Sequence, residues 1–218
     1  MDTLLAALRS IDLSSLLDAV LRVAAVLLCL TVHETCHGLA ARALGDPTAK
    51  QAHRLSLNPL QHIDWFGFAC MLLLGFGWAK PVPVDMRYFK NPRRGMALTA
   101  LAGPVSNILL AVALLLGGRV LYDFAPYTPF WNGLFSFLLT AAMLSVGLGV
   151  FNLIPIPPLD GSKVLFALLP ERAYVTLMRY ERYGMLLLYA LVFLGALDNF
   201  LGSAVYAVYE LLVEWIYF

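Results

Sequence analysis

Charged residues are scarce in this 218-residue chain, where Lys, Arg, Asp and Glu together make up 13% of the sequence. A soluble globular domain carries about 25% charged residues and about 45–50% apolar ones, whereas 61% of this chain is hydrophobic. The formal net charge is +1, and no basic face is available to neutralise phosphates, which excludes a nucleic-acid partner. We therefore predict an integral membrane protein whose surroundings are the lipid bilayer.

Cysteine is also scarce, with only Cys29, Cys36 and Cys70 in the chain. Three cysteines in or beside apolar segments do not make a disulfide framework, and we interpret them as small buried apolar residues. Cys36 lies next to His37 in the sequence, but this neighbouring position turns it away from the histidine on a helix. We do not expect it to bind a metal.

Apolar runs divide the chain into candidate membrane segments, for which about 20 residues are needed. The runs lie at residues 16–44, 96–121, 133–153, 183–197 and 200–217, with a shorter run at 65–79. Glycines interrupt the shorter run, which suits a re-entrant element better than a span. The sequence predicts an all-α polytopic membrane protein: a helical bundle of about 4–6 membrane segments with a short re-entrant or hairpin element.

The most basic loop lies at residues 80–94, where five positive charges accompany a single acidic residue, Asp85. Basic loops of membrane proteins remain in the cytoplasm. Arg42 and Lys163 lie near the ends of the first and third long runs, so both ends should converge on the same side. The side chains near these ends are therefore expected to meet close to the cytoplasmic face.

The first long run contains the pentapeptide His33-Glu34-Thr35-Cys36-His37. On a helix, residues four apart share a face, so the two imidazoles can bind one metal ion while Glu34 handles a proton of bound water. Ionisable groups at membrane depth are rare and call for a functional reason. The alternative is a chance match, in which both histidines are buried in the core with their hydrogen bonds made there.

A catalytic zinc ion needs a third protein ligand, and Asp160 is the best candidate. Three prolines before it interrupt the helix, and we expect Gly161 to supply a backbone φ that other residues resist. The alternative is that Leu159-Asp160-Gly161 forms an ordinary turn.

Together, three elements resemble those of the site-2 protease family of intramembrane zinc metalloproteases. They are the His33–His37 pentapeptide, the G-P-x-x-N element at Gly103–Asn107, and the N-x-x-P-x-P-x-L-D-G element within Phe151–Gly161. The resemblance covers most of residues 20–170. It implies a short bacterial-type member without a PDZ-like or other regulatory domain. We predict a single domain over residues 1–218, with a catalytic core at about 16–170 and a C-terminal helical hairpin at about 183–217.

The resemblance implies a role for each matched residue. One catalytic Zn²⁺ would be bound by His33, His37 and Asp160. Glu34 would be the general base and acid. Asn107 and Asn152 would hold the unwound backbone of the substrate, although interhelical hydrogen bonding is an alternative role for both. His53 and His62 are not expected to be ligands, and we place both in a solvated or interfacial segment.

The function implied is zinc-dependent endoproteolysis within or near the transmembrane helices of single-span membrane proteins, that is, regulated intramembrane proteolysis. The membrane would be the bacterial plasma membrane, with the active site near its cytoplasmic face. A catalytically silent zinc-binding adaptor is one alternative. A metal transporter is another, but the runs at 108–118 and 134–150 are nearly devoid of polar residues along a transport path. A further hypothesis is that residues 49–80 present an edge strand to an extended substrate. The substrate, gating and oligomeric state are left open.

Overall fold

The computed structural model describes residues 13–74 and 77–218. The helices in this part of the chain are α1 (Leu13–Ala43), α2 (Thr48–Gln51), α3 (Trp65–Leu74), α4 (Pro92–Phe124), α5 (Pro129–Asn152), α6 (Asp160–Leu168), α7 (Glu171–Phe193) and α8 (Asp198–Tyr217). Short 3₁₀ turns occur at Pro59–Gln61 and Met86–Tyr88. Within the described ranges, the only extended pairing is a single antiparallel bridge between Ile63 and Ala79.

Four of the described helices are long and apolar enough to cross a membrane: α1 from Leu17 onward, α4, α5 and α8. At a rise of 1.5 Å per residue, each reaches the roughly 30 Å thickness of a hydrocarbon core. The prediction of an all-α polytopic membrane protein is confirmed. The number of spanning helices lies at the lower end of the predicted range.

Helix α4 lies at the centre of the bundle and packs against α1, α5, α6 and α8. Four fully buried apolar side chains form the core between α4 and α5: Ala111, Leu115, Ala142 and Val146. Alanine at such contacts lets the helix backbones approach closely, which favours association inside a membrane. We call the end of the bundle where α1 ends, α4 begins and α5 ends the proximal end, and the opposite end the distal end.

The C-terminus of α1 is set by a glycine. Gly45 has φ +107°, a left-handed conformation that glycine adopts without a Cβ penalty. Its N–H donates to Arg42 O, and the N–H of Asp46 donates to Ala41 O. These two bonds form a Schellman motif, which satisfies carbonyls that a helix end leaves open. The chain therefore leaves α1 at the proximal end and passes into α2.

The short apolar run folds as α3, a helix of 10 residues that is too short to span a membrane. Trp65 and Phe66 at its start are each 70% exposed, and the neighbouring Leu60 is also exposed. Residues 75 and 76 of the predicted run lie outside the described part. An apolar helix of this length with aromatic residues on its surface is consistent with the predicted re-entrant element.

The apolar run at 183–197 belongs to a longer helix, α7, that begins at Glu171. The Arg93 guanidinium at the start of α4 lies 5.1 Å from the Tyr174 ring, and Leu188 packs with Ile154 and Leu159 just beyond α5. Both halves of α7 thus contact the proximal end, so α7 does not cross the bundle. Gly195, with φ +65°, ends this region, and α8 then begins at Asp198.

Helix α8 runs from the proximal to the distal end. Leu201 packs near Ile154, whereas the Tyr217 hydroxyl donates to Leu115 O at 3.2 Å. The Arg119 guanidinium donates to Tyr217 O at 2.7 Å. The connection between the two C-terminal helices lies at 194–197, four residues earlier than the sequence predicts, because Asp198 and Asn199 open α8.

Candidate metal centre

The two histidines of the pentapeptide share the buried face of α1, as their spacing of four residues requires. His33 is 3% exposed and His37 is 9% exposed, and their ring centroids lie 4.6 Å apart. Cys29, one turn earlier, is also buried and its thiol contacts Ala141 O. The face of α1 that carries Cys29, His33 and His37 therefore points into the bundle, where α4 and α5 cover it.

Asp160 reaches the same place from α5. That helix ends at Asn152, and residues 153–159 bring the chain back before α6 begins at Asp160. Gly161 has no left-handed φ, so the expected reason for a glycine here is wrong. The actual reason is close approach, because a Cβ at Gly161 would lie 2.1 Å from Leu153 O. This contact folds the connecting segment tightly enough to place Asp160 beside α1.

The three predicted ligands lie together. Asp160 Oδ2 is 3.1 Å from His33 Nε2 and 3.1 Å from His37 Nε2. One donor atom from each residue lies within 4.8 Å of the others. Two imidazole nitrogens and one carboxylate oxygen are the donor types of a catalytic zinc site, which leaves one position for water.

Each imidazole is fixed by its second nitrogen. His37 Nδ1 lies 2.7 Å from Thr99 O, and His33 Nδ1 lies 2.9 Å from Asn107 Oδ1. A carbonyl oxygen only accepts, so both Nδ1 atoms carry the proton and both Nε2 atoms keep a lone pair. This is the tautomer that metal binding through Nε2 requires.

The wall behind the histidines is Gly103 of α4. A Cβ there would lie 2.5 Å from His37 Nε2 and 2.6 Å from His33 Cε1. Glycine therefore lets the backbone of α4 lie directly against both rings. The donor set, the two fixed tautomers and this absence of a side chain together fit one zinc ion.

Electrostatic partners surround Asp160. Asp160 is buried, which opposes ionisation of its carboxyl unless a cation lies near it. Lys163 Nζ lies 3.8 Å from Asp160 Oδ1, one turn further along α6. A cation at this distance favours the ionised carboxylate, which is the form that binds a metal.

Glu34 lies beside the histidines in a cleft of about 330 Å³ that also borders Asn152 and Lys163. Its Oε2 accepts a hydrogen bond of 2.9 Å from the backbone N–H of Val82. Asn152 is half-buried in this cleft, and its carboxamide donates to Leu148 O of its own helix. A carboxylate and a hydrogen-bonding side chain therefore flank the three predicted ligands.

The two predicted substrate-binding asparagines differ in their surroundings. Asn107 is 0% exposed and contacts His33, whereas Asn152 lies at the cleft surface. In this arrangement Asn107 supports a ligand, and substrate contact by either residue stays a prediction. His53 is exposed, but His62 is buried at 2% exposure, so its predicted solvated or interfacial position is wrong. The His62 Nε2–H donates to Ser56 O at 2.8 Å, which accounts for its burial.

Sequence reasoning missed three contributors to the site: Lys163, the carbonyl of Thr99 and the amide of Val82. Lys163 could have been found from its position three residues after Asp160 on one helix. The Thr99 carbonyl and the Val82 amide are backbone groups, which almost every residue type has, so the sequence does not mark them. Only the fold brings them to His37 and Glu34.

Known proteins similar to this chain agree with the site. The sequence profile of peptidase family M50 matches residues 22–195. The chain is 41% identical over 177 residues to the provisionally named zinc metalloprotease YwhC of Bacillus subtilis, covering 80% of this chain and 78% of that protein. It is 30% identical over 192 residues to the provisionally named zinc metalloprotease Rip2 of Mycolicibacterium smegmatis, covering 86% and 72% of the two chains. No solved structure matches the chain.

The prediction of a zinc cofactor is confirmed by these relatives together with the donor set. The expected resemblance is confirmed as well. On both grounds, this integral membrane chain belongs to peptidase family M50, the site-2 protease family of zinc metallopeptidases.

Proposed function

We propose that this protein is a zinc-dependent intramembrane endoprotease that hydrolyses peptide bonds within or near the transmembrane helices of single-span membrane proteins. The observation that carries the proposal is the group formed by His33, His37 and Asp160, with Glu34 in the same cleft. This constellation lies among helices that are apolar enough to cross a membrane.

Zinc bound by these three residues would supply Lewis-acid activation of a water molecule and of the scissile carbonyl. Glu34 then accepts a proton from the attacking water and delivers it to the leaving amine. Asn152, at the cleft surface, offers a donor and an acceptor to a substrate backbone whose helical hydrogen bonds have opened. Asn107 is fully buried and its carboxamide oxygen contacts His33, so Asn152 is the better placed of the two for contact with a substrate.

A second cavity supports the proposal that the substrate is apolar. It has a volume of about 740 Å³ and lies between α1, α5 and residues 59–68 and 77–79. Leu30 and Thr31 line it just before His33, and Phe151 lines it just before Asn152. This neighbouring position would accommodate part of a membrane-spanning segment beside the cleft.

We propose a bacterial plasma membrane, with the site near its cytoplasmic face. The basic residues of the loop at 80–94 lie between α3 and the start of α4, at the proximal end where the site lies. Positively charged loops remain in the cytoplasm, so this end would face it. The bacterial assignment is supported by the organisms of the relatives.

The test is cleavage of a panel of single-span substrates by purified protein in detergent, with the Glu34→Gln variant in parallel. Zinc content should be equal in the two proteins, because the ligands are unchanged. Cleavage within the membrane segment by the wild type alone would establish the activity and the role of Glu34. If both proteins hold zinc and neither cuts any substrate, the adaptor interpretation would replace the protease. If neither protein holds zinc, the site itself would be wrong.

A further inference from the structure

A strap formed by residues 80–85 crosses the cleft beside Glu34, and buried charged side chains fix it at both ends. At one end, the Arg54 guanidinium donates to Lys80 O at 2.7 Å, and the N–H of Lys80 donates to His62 O at 2.9 Å. At the other end, the N–H of Asp85 donates to Asp46 Oδ2 at 2.7 Å. Arg54 is 8% exposed and Asp46 is fully buried. Burying a charge is costly unless it is paired, so these contacts specify the position of the strap.

The middle of the strap lies against α1 at a glycine. A Cβ at Gly38 would lie 3.2 Å from Val82 Cγ1 and 2.5 Å from Leu55 Cδ2. Val82 is buried in this contact. Because Gly38 leaves the space open, the backbone of the strap reaches the turn of α1 that carries Glu34.

Proline restricts the donors of the strap to one position. Pro81 and Pro83 have no N–H, so Val82 carries the single backbone donor between Lys80 and Val84. That donor lies 2.9 Å from Glu34 Oε2. In the described part of the chain, the N–H of Val84 has no hydrogen-bond partner. The Pro-Val-Pro sequence thus presents one amide, and the fold directs it at Glu34.

We infer that Val82 is a positioning residue: its backbone N–H holds Oε2 of Glu34 so that Oε1 is directed to the water that attacks the substrate. This inference rests on the proposed function. A glutamate side chain has several rotatable bonds, and a general base must lie within about 3 Å of the proton it accepts. Fixing one oxygen with an amide removes that freedom while leaving the other oxygen able to accept.

The hydrogen bond can be observed without any catalysis. Labelling proline at the carbonyl carbon with ¹³C and valine at nitrogen with ¹⁵N selects Pro–Val pairs, of which this chain has three: Pro81-Val82, Pro83-Val84 and Pro104-Val105. In metal-free protein in micelles, we expect a downfield amide proton for Val82. Glu34→Ala should move that signal alone upfield, and Glu34→Gln, which keeps an acceptor oxygen, should move it less. A Val82 signal that Glu34→Ala leaves in place would overturn the inference.

The kinetic test replaces the Val82 N–H by an ester oxygen, which deletes the donor and retains the side chain. We expect kcat to fall about 10- to 100-fold, the range for loss of a hydrogen bond to a charged group, with KM and zinc content unchanged. The same ester at Val84 is the matched control.

An ester at Val82 with the kcat of the wild type would overturn the inference while leaving the proposed function intact. If KM or zinc content changed as much as kcat, the strap would be a structural element and the inference would again fail. A wild-type protein that cuts no substrate would instead remove the proposed function, and the inference with it.

Discussion

Gly103 of α4 and His37 of α1 are in such close contact that no other residue type fits at position 103. The nearest imidazole atoms would be 2.5 Å from an added Cβ, and the ring of His33 would be almost as close. Carbon atoms do not approach to this distance without displacement, so a methyl group would push both rings away from Asp160. The glycine therefore determines the geometry of the metal centre although it has no ligand atom.

Gly103→Ala should lose zinc. We expect the affinity of this variant for zinc to fall by about 100-fold or more, which is the upper end of the loss seen when residues that contact metal ligands are changed. Metal content after dialysis against a zinc buffer measures the effect. Gly117→Ala is the control on the same helix, because its nearest neighbour would lie at an ordinary 3.6 Å. Equal zinc content in the two variants would contradict the prediction.

Asn107 should be needed for zinc binding because it fixes the tautomer of His33. Asn107→Leu removes the acceptor, so zinc affinity should fall about 10- to 100-fold. Asn107→Asp keeps an acceptor oxygen and should retain most of the affinity. Titration with a competing chelator gives both values. A leucine variant that binds zinc like the wild type would show that His33 is oriented by its packing alone.

Asn152 should affect substrate binding and not zinc. In Asn152→Ala we expect KM to rise several-fold, because a hydrogen bond to an uncharged backbone contributes about 1 kcal/mol. Zinc content should be that of the wild type. Steady-state cleavage of one single-span substrate separates KM from kcat. A normal KM in this variant would argue for the alternative role, interhelical hydrogen bonding.

Gly161→Ala should destabilise the protein, since its Cβ would lie 2.1 Å from Leu153 O and 2.7 Å from Ile154 O. Overpacking of this kind costs about 1–3 kcal/mol. Thermal unfolding in detergent should show a lower midpoint. Gly202→Ala is the matched control, with nothing within 4 Å of its Cβ, and should be neutral or slightly stabilising. If both variants unfolded at the same temperature, the contact between α6 and the end of α5 would not be tight.

The local parts of this molecule could be predicted from the sequence because their signals are local. The spacing of His33 and His37 places them on one face of any helix, and the apolar runs mark the four long helices. The first half of α7 could not be found in this way. It carries several charges, and an amphipathic helix at the proximal end has no continuous apolar run.

Contacts between distant residues were beyond the reach of pattern alone. Asp160 lies 127 residues from His33 in the sequence. The interrupted helix before Asp160 and the expected cytoplasmic end made it a candidate, and the resemblance to a family implied the same residue, but no pattern predicts the contact itself. The contact of the Val82 amide with Glu34 involves a backbone group, which has no residue type to recognise. The prediction for His62 is wrong because the polar composition of its segment suggests exposure, whereas its Nε2–H donates to Ser56 O inside the fold.

The position of the apolar core between α4 and α5 has a consequence for the membrane as an insulator. Ala111 and Leu115 follow Asn107 on α4 by one and two turns, and with Ala142 and Val146 they form a cluster of fully buried apolar side chains. His33, in contrast, lies about 15 Å from the end of α1 at the proximal end. Water consumed in hydrolysis would need to enter only from that end. An apolar cluster in the distal half would oppose the passage of ions, so a cell could keep such an enzyme in an energised membrane without discharging its proton gradient.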